Sequence, residues 1–267
     1  MRCEVDKQGK DTLQELRLRI GLTPEMIMRN GCYSLSRVVS KDDLAFVINT
    51  ASEYSPWAAT TVKQGFITSP GGHRIGVCGQ CASMDGMIRG IAVPSSVCIR
   101  VARDFDRISG NAENLAESVL IIGPPGSGKT TLLRDLIRYK SDRGPGNVGV
   151  VDEREELFPT YKGQACFPIG KRTDIISGCT KAAGIEAILR SMNPHWIAVD
   201  EITAASDCEA ILHAGWCGVN LMATAHAGSI NDLKTRPVYR PLLQSGLFSA
   251  VLILGIDKSW SMERILL

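Results

Sequence analysis

One stretch of the sequence has residue types and spacing suited to holding a chain of phosphates. It matches the pattern G-x-x-x-x-G-K-[S/T] at every defined position. Glycines allow backbone amides to point inward around phosphate oxygens, and the helix that follows adds positive potential at its N-terminus. We predict a triphosphate site in which Lys129 contacts the β- and γ-phosphates and Thr130 ligates Mg²⁺. The predicted nucleotide-binding residues are Gly123, Pro124, Pro125, Gly126, Ser127, Gly128, Lys129, Thr130 and Thr131.

Pairs of carboxylates follow two apolar stretches farther along the chain. Asp200 fits a Walker B role and is predicted to hold Mg²⁺ together with Thr130, while Glu201 is predicted to be the general base for the attacking water. Asp152 and Glu153 end a second stretch between the two motifs, and both are predicted to face the γ-phosphate from a neighbouring strand, with Glu153 as a second candidate for the base. The alternative is that VDEREE is a solvated loop. This combination is typical of ATPases with their own catalytic glutamate.

Five apolar stretches predict the elements that position these residues. Each is apolar on both faces, as expected for a parallel sheet covered by helices. After the phosphate loop, leucines recur at helical spacing, and Arg134, Asp135 and Arg138 are predicted to lie outside the apolar stripe. His226 ends the fourth stretch, at the carboxyl edge of the sheet, where it could sense the γ-phosphate; the alternative is a loop histidine. The stretches are 118–122, 147–151, 195–199, 219–225 and 251–255.

The first part of the chain has a different pattern, in which strand-like segments surround one helix. In LRLRI, apolar and charged residues alternate with the period of a strand. Ser40 is predicted to cap a helix, with Asp43 as its capping-box partner. Further strand-like pieces follow, with Asp85-Gly86 as a hairpin signal. A strand, a helix and then several strands predict a small α+β domain.

Length and composition limit what these elements can build. The chain of 267 residues suits one or two domains, and we predict an α+β domain at 1–108 and a P-loop domain at 109–267, with a polar linker at 106–114. A formal net charge of +2 gives no electrostatic argument for a nucleic acid or a membrane surface. Nine cysteines without an apolar leader or a spanning segment predict a cytoplasmic protein with reduced thiols.

Several motifs in a fixed order also resemble a known family. The segments GPPGSGKTTLLRDL, VVDEREEL, LRSMNPHWIAVDEI and ATAHAGSINDL, with GGHRIGVCGQ upstream, are similar to the stage III sporulation AA proteins, a family related to type II and type IV secretion motor ATPases. The resemblance covers residues 13–253. It implies an α/β fold, a RecA-like P-loop ATPase domain preceded by a smaller α+β domain. VVDERE takes the place of the secretion motors' Asp box, and ATAHAGS that of their His box.

The resemblance implies a role as well as a fold. Members of the family would act as a ring, a homo-hexamer, and would use ATP and Mg²⁺ to power or assemble the channel between mother cell and forespore during endospore formation. The implied partners are membrane-anchored sporulation channel proteins. They would hold a cytoplasmic protein peripherally at the membrane on the mother-cell side, since the sequence offers no lipid-binding segment of its own.

A ring would allow one subunit to supply an arginine to the nucleotide of the next. Such arginines stabilise charge on the γ-phosphate in the transition state. In secretion motors the neighbour's N-terminal domain approaches the nucleotide, so the candidates are Arg74, Arg100 and Arg103, with Arg172 as a further one from the motor domain itself. The alternative for each is a solvated arginine. One departure from the secretion motors is Asp200, where they usually have glycine.

Two other functions were weighed against the motor. The first alternative is a RecA-like ATPase that acts on single-stranded nucleic acid, but the low net charge and the lack of a Lys/Arg run make nucleic acid an unlikely partner. The second is a nucleotide-gated scaffold without hydrolysis, against which the intact phosphate loop and the Asp200-Glu201 pair argue.

Overall fold

The structure is a computed structural model that describes residues 10–52, 66–84 and 87–265. The strands are β1 (Leu13–Arg19), β2 (Glu25–Met28), β3 (Gly31–Ser34), β4 (Phe66–Thr68), β5 (Arg74–Met84), β6 (Met87–Arg100), β7 (Val119–Ile122), β8 (Val148–Asp152), β9 (Thr160–Tyr161), β10 (Gln164–Ala165), β11 (Thr173–Ser177), β12 (Trp196–Val199), β13 (Asn220–Ala225), β14 (Ala250–Leu254) and β15 (Trp260–Arg264). The α-helices are α1 (Lys41–Ala51), α2 (Lys129–Arg143), α3 (Lys181–Ser191), α4 (Ala205–Trp216), α5 (Ile230–Thr235) and α6 (Arg240–Gln244).

Packing divides the chain into two compact units. The division falls between residues 103 and 104, whereas the sequence placed a domain boundary after residue 108. The segment 159–167, with the short strands β9 and β10, groups with the N-terminal unit although it lies far along the chain. The N-terminal unit is Met1–Arg103 with Pro159–Phe167, and the P-loop unit is Asp104–Phe158 with Pro168–Leu267.

The N-terminal unit contains a six-stranded antiparallel sheet in the order β3-β2-β1-β6-β5-β4. Helix α1 covers it, because Leu44 packs in one buried cluster with Leu18 of β1 and Val97 of β6. The predicted hairpin signal at Asp85-Gly86 lies outside the described residues. The mixed composition of strands and one helix is the α+β arrangement that the sequence predicted.

Helix α1 begins where the sequence predicted. The Ser40 hydroxyl accepts the backbone N–H of Asp43 at 3.1 Å, and the Asp43 carboxylate accepts the backbone N–H of Ser40 at 2.8 Å. Two of the donors that a helix start leaves unpaired are thereby satisfied. The predicted capping box is confirmed.

The P-loop unit is built on a seven-stranded sheet in the order β11-β8-β12-β13-β7-β14-β15. All neighbouring strands are parallel except β15, which pairs antiparallel with β14. The five predicted strands are present, and β11 and β15 are additional edge strands. The residues after β7, β8, β12 and β13 meet at one edge because parallel strands share their carboxyl ends. This edge is where the candidate site lies.

Helix α2, which follows the phosphate loop, buries charged residues that the sequence analysis placed outside the apolar stripe. Although they lie outside that stripe by helical spacing, Arg134, Asp135 and Arg138 are only 5%, 3% and 8% exposed. Arg138 pairs with Asp104, and Arg134 donates to the carbonyls of Leu157 and Glu156. Buried charges that are paired in this way avoid most of the cost of desolvation. The chain after residue 103 is therefore held on the helix by charges rather than by apolar contact.

Asp135 is the centre of this attachment. Its carboxylate accepts backbone N–H groups from Arg107, Ile108 and Ser109 at 2.8–3.0 Å and the Ser109 hydroxyl at 2.7 Å. Burial alone would raise the pKa of Asp135, but the hydrogen bonds from Ser109 and the backbone outweigh it and the pKa is lowered. The predicted polar linker at 106–114 is thus partly ordered, with a 3₁₀ helix at Gly110–Asn114.

We expect Asp135→Asn to lower the free energy of unfolding by about 3 kcal/mol, because the amide leaves buried donors facing an NH₂ group. A carboxylate with a lowered pKa stabilises the fold above its unfolded pKa, and that contribution is lost as the pH falls through the folded value. Urea unfolding at neutral and acidic pH should therefore show the difference shrinking in acid. The control is Asp142→Asn on the same helix. Asp142 accepts one exposed hydrogen bond from the backbone N–H of Lys171, so we expect the free energy of unfolding to fall by about 1 kcal/mol or less. Equal losses would contradict the role of Asp135.

Candidate nucleotide site

The phosphate loop connects β7 to α2 with the backbone geometry that a phosphate cradle requires. Gly128 caps α2 with φ +101°, a left-handed conformation that a side chain would disfavour. At Gly123 a Cβ would lie 2.6 Å from the Ser127 hydroxyl and 2.8 Å from the Leu254 carbonyl. The Ser127 hydroxyl is itself buried and lacks a hydrogen-bond partner among the described residues. The loop therefore has a conformation that requires glycine and a buried hydroxyl that is available for hydrogen bonding. Both features fit a bound phosphate chain.

Lys129 lies buried in this loop, beside two backbone carbonyls and the ring of His226. Its ammonium donates to the carbonyls of Gly123 at 2.9 Å and Pro124 at 3.0 Å, and it is 3.1 Å from Nδ1 of His226. Burial lowers the pKa of Lys129, although two nearby carboxylates raise it. A buried ammonium without an anionic hydrogen-bond partner is suited to receive an anion.

The carboxylate that follows β12 lies beside the start of α2. Oδ2 of Asp200 accepts the Thr130 hydroxyl at 2.8 Å, and Oδ1 accepts the hydroxyl of Thr224 on β13. Thr224 in turn accepts the backbone N–H of Glu201 at 2.7 Å, which fixes the turn after the strand. Hydroxyl and carboxylate oxygens are the ligands that Mg²⁺ prefers. Thr130 and Asp200 therefore fit the predicted metal site.

Glu201 is held in an unusual backbone conformation with its carboxylate between two nitrogen groups. Its φ is +49°, a left-handed value that non-glycine residues adopt rarely. Oε1 lies 3.0 Å from Nε2 of His226, and Oε2 accepts a hydrogen bond from Arg154 at 3.2 Å. His226 thus bridges Lys129 and Glu201. The structure brings together three residues that the sequence proposed for the site from three separate motifs.

The two carboxylates after β8 do not both face this centre. Asp152 is 2% exposed, and its oxygens accept the backbone N–H groups of Glu156 and Phe158 at 2.8–2.9 Å. Burial raises the pKa of Asp152. Glu153 pairs with Lys181, the buried first residue of α3. Asp152 therefore stabilises the loop at residues 153–158. The carboxylate of Glu153 is already paired with a cation.

The four candidate arginines have different surroundings. Arg172 donates to the carbonyls of Ser141 and Gly144, at the C-terminal end of the 15-residue helix α2. That end is about 22 Å from the phosphate loop of the same subunit, since a helix rises ~1.5 Å per residue, so Arg172 could serve only a neighbouring subunit and that role stays a prediction. The other three arginines are in the N-terminal unit.

Within the N-terminal unit, Arg74 and Arg100 are directly opposite each other on β5 and β6. Arg74 stacks on the ring of Phe66, with 3.6 Å between its Cζ and the ring centroid. Arg100 is 64% exposed and has a 3.7 Å ion pair with Glu15. Arg103 donates to the carbonyl of Leu13 at 2.7 Å.

Four residues at the site were not predicted from the sequence. Lys258, in the turn between β14 and β15, donates to the carbonyl of Gly126 in the phosphate loop. Nothing in the sequence marks that contact, because it depends on the turn conformation. Arg154 belongs to the segment VVDEREEL already noted for its resemblance, so charge pairing with a nearby glutamate was a usable signal. The four residues are Arg154, Lys181, Thr224 and Lys258.

Comparison with known proteins identifies relatives over nearly the whole chain. A family model described as "Sporulation stage III, protein AA" matches residues 3–264. The stage III sporulation protein AA of Bacillus subtilis (strain 168) is 35% identical over 265 residues, which cover 96% of this chain and 86% of that protein. Both matches include the phosphate loop and the Asp200-Glu201 pair.

Solved structures show the same fold at low sequence identity. The Legionella pneumophila ATPase DotB is similar with a TM-score of 0.63 and 16% identity, covering 98% of this chain and 79% of that one. The pilus retraction motor PilT with bound ADP also has a TM-score of 0.63 and 16% identity, covering 94% of this chain and 76% of that one. The predicted α/β, RecA-like fold with a preceding α+β portion is confirmed.

Helix length and hydropathy determine whether a helix could span a membrane. Across residues 10–52, 66–84 and 87–265, we find no helix that is both long enough and apolar enough to span a bilayer.

Proposed function

This chain belongs to the stage III sporulation protein AA family, and from that premise we propose that it is an ATPase of the secretion-motor type. The observation that carries the proposal is the linked arrangement of Lys129, His226 and Glu201 beside the Thr130–Asp200 pair. In this proposal Lys129 would bind phosphate, Glu201 would be the base, and the oxygens of Thr130 and Asp200 would ligate the metal, all at one sheet edge. The DotB and PilT structures support the fold on which this arrangement is built.

Binding of ATP would replace the weak hydrogen-bond acceptors of Lys129 with stronger ones. Lys129 now donates to two carbonyls, and the β- and γ-phosphate oxygens offer it charge-assisted hydrogen bonds instead. The N-terminus of α2 adds its dipole to the same position. Thr130 and Asp200 would hold Mg²⁺, which neutralises charge on the phosphates.

Hydrolysis would depend on Glu201. The oxygen of a water molecule attacks the γ-phosphorus, the bond to the β–γ bridging oxygen breaks, and the products are ADP and phosphate. Glu201 takes the proton from the water, while His226, already 3.0 Å from its carboxylate, keeps that carboxylate oriented towards the loop. His226 would therefore orient both Lys129 and the base, Glu201.

A phosphate-release assay on the purified chain tests the proposal. We expect phosphate release from ATP that requires Mg²⁺ and stops when the metal is chelated. Release that is absent at every protein concentration, with nucleotide binding intact, would leave a nucleotide-gated scaffold and refute the ATPase. Mass measurement with and without ATP and Mg²⁺ determines the ring size, for which we propose a homo-hexamer.

The cellular role that we propose is to power or assemble the channel between mother cell and forespore. Membership of the sporulation family supports this role. The protein would act in the cytoplasm on the mother-cell side, and membrane-anchored channel proteins would hold it at the membrane. Co-purification of those membrane proteins with the chain, and its loss when they are deleted, tests the placement.

We also propose that the N-terminal unit supplies an arginine to a neighbouring subunit's nucleotide. The pair Arg74 and Arg100 supports this, because two like charges directly opposite on adjacent strands, beyond the ion pair of Arg100 with Glu15, would be stabilised further by a phosphate. Arg100 is the first candidate since its side chain is the more weakly held of the two, with one long ion pair. Arg103, bonded to a backbone carbonyl, is the weaker candidate.

Mixing two inactive variants checks this prediction. Lys129→Ala protein lacks a working phosphate loop, and Arg100→Ala protein lacks the donated arginine. A mixed ring contains interfaces with both parts intact, so we expect partial ATPase activity to return. The same mixture with Arg74→Ala or Arg103→Ala identifies the arginine used. Arginine variants that keep full activity, or mixtures without recovery, would refute donation between subunits.

A further inference from the structure

Arg154 is the cation nearest to the proposed base, and the sequence analysis gave it no role. It follows β8 and donates to Oε2 of Glu201 at 3.2 Å. Its side chain is 54% exposed, whereas the Glu201 side chain is 27% exposed. The guanidinium therefore reaches inward to the base from the solvent side, on the same chain as the phosphate loop.

The other cation on this side of Glu201 is already engaged. Lys181 is 4% exposed at its side chain, pairs with Glu153 and lies 3.9 Å from Asp207. The small cavity at this place is otherwise lined by carboxylates. A triphosphate adds further negative charge beside Glu201, and negative charge grows on the γ-phosphate oxygens in the transition state, so a further cation on this side of Glu201 would be stabilising. Arg154 is the more exposed of the two cations here and is placed to supply that positive charge.

The geometry of an arginine suits this task. A guanidinium has five N–H donors in a planar fork, and Arg154 uses one of them on Glu201. The remaining donors can contact a phosphate oxygen while the first stays on the base. One side chain would then hold the base in place and stabilise the charge on the transferring group. A lysine, with a compact charge, could do only one of these at a time.

We propose that Arg154 acts as an arginine finger in its own subunit, contacting the γ-phosphate during hydrolysis. This inference rests on the proposed ATPase function. It adds a catalytic residue of the P-loop unit to the arginine that we expect from a neighbour. The charge on the γ-phosphate oxygens grows in the transition state, and a positioned arginine lowers the energy of that state more than that of bound ATP.

Two variants of Arg154, with Glu201→Gln for comparison and one control, test the inference. Arg154→Ala should lower kcat about 100-fold or more, with ATP binding nearly unchanged. Arg154→Lys should recover only part of the loss, and millimolar guanidinium should restore part of the activity of Arg154→Ala but not of Glu201→Gln. The control is Arg190→Ala, which removes an exposed arginine paired with Glu186 on α3 and should leave kcat within about twofold.

A binding readout separates this inference from the proposed function. ADP with aluminium fluoride and Mg²⁺ mimics the transferring phosphoryl group, so its thermal shift should fall in Arg154→Ala while the shift with ADP alone persists. If the wild-type chain hydrolyses no ATP, the ATPase proposal fails and the inference about Arg154 fails with it; if the wild-type chain hydrolyses ATP, the fluoride shift tests Arg154 alone. Equal fluoride shifts in wild type and Arg154→Ala would overturn it.

Two kinetic outcomes would also overturn the inference. Higher activity in Arg154→Ala would mean that Arg154 restrains Glu201 instead of assisting it. Recovery of activity when Arg154→Ala is mixed with Lys129→Ala would mean that the arginine serves a neighbouring subunit. Because Arg154 is exposed, the melting temperature without ligand should match that of wild type, which shows whether the variant is folded.

Discussion

Lys129→Ala protein is expected to lose most of its affinity for ATP. A charge-assisted hydrogen bond contributes about 1.5–3 kcal/mol, which corresponds to roughly 10- to 150-fold in affinity. The increase in melting temperature with ATP and Mg²⁺ should fall accordingly in a thermal-shift measurement. Without nucleotide the variant should be about as stable as wild type, because the ammonium donates to two backbone carbonyls and its burial lowers its pKa.

Lys258→Ala is the matched control for that experiment. Lys258 also donates to a carbonyl of the phosphate loop, that of Gly126, but its side chain is exposed to solvent. We expect a smaller change in affinity than for Lys129→Ala. An undiminished thermal shift in Lys129→Ala would show that the nucleotide binds elsewhere.

Glu201→Gln is expected to separate binding from chemistry. The amide keeps the shape of the side chain but removes the base, so phosphate release should fall by about 10²- to 10⁴-fold. ATP affinity should persist, because Lys129 and Thr130 are unchanged. Equilibrium binding and single-turnover hydrolysis measured on the same preparation give the two quantities.

Glu153→Gln provides the comparison for Glu201→Gln. Glu153 pairs with Lys181, so its replacement should lower activity less than tenfold, with a loss of stability from the unpaired lysine. If Glu201→Gln keeps its turnover and Glu153→Gln loses it, then Glu153 is the base. The double variant would then show whether either carboxylate suffices.

The sheet and the phosphate loop could be predicted because their signals are local. A continuous apolar run is typical of a strand buried on both faces, and each of the five runs forms a strand of the P-loop unit. The glycines before Lys129 are required by the backbone conformation of the phosphate loop, so their spacing can be recognised without knowledge of tertiary contacts. The edge strands β11 and β15 contain several polar residues, so they gave a weaker signal.

Contacts between distant parts of the chain explain what the sequence did not predict. Arg134 and Asp135 on α2 look like surface residues, because their partners at 104–109 and 156–157 lie some 20 to 30 positions away. Arg172 was considered for the nucleotide, yet its partners are the carbonyls at the far end of α2. Pairing of this kind is decided by tertiary structure, which periodicity does not reveal.

The buried charges on α2 have a consequence for ionic strength. Dissolved ions screen exposed charge pairs over a Debye length of about 8 Å at physiological salt, but they hardly reach pairs that exclude water. The side chains of Arg134, Arg138 and Asp135 are 6%, 10% and 4% exposed. The attachment of residues 104–109 to the phosphate-loop helix should therefore persist in concentrated salt. A decline of activity as salt is added then reports on exposed groups, Arg100 and Arg154 among them, rather than on loosening of this helix.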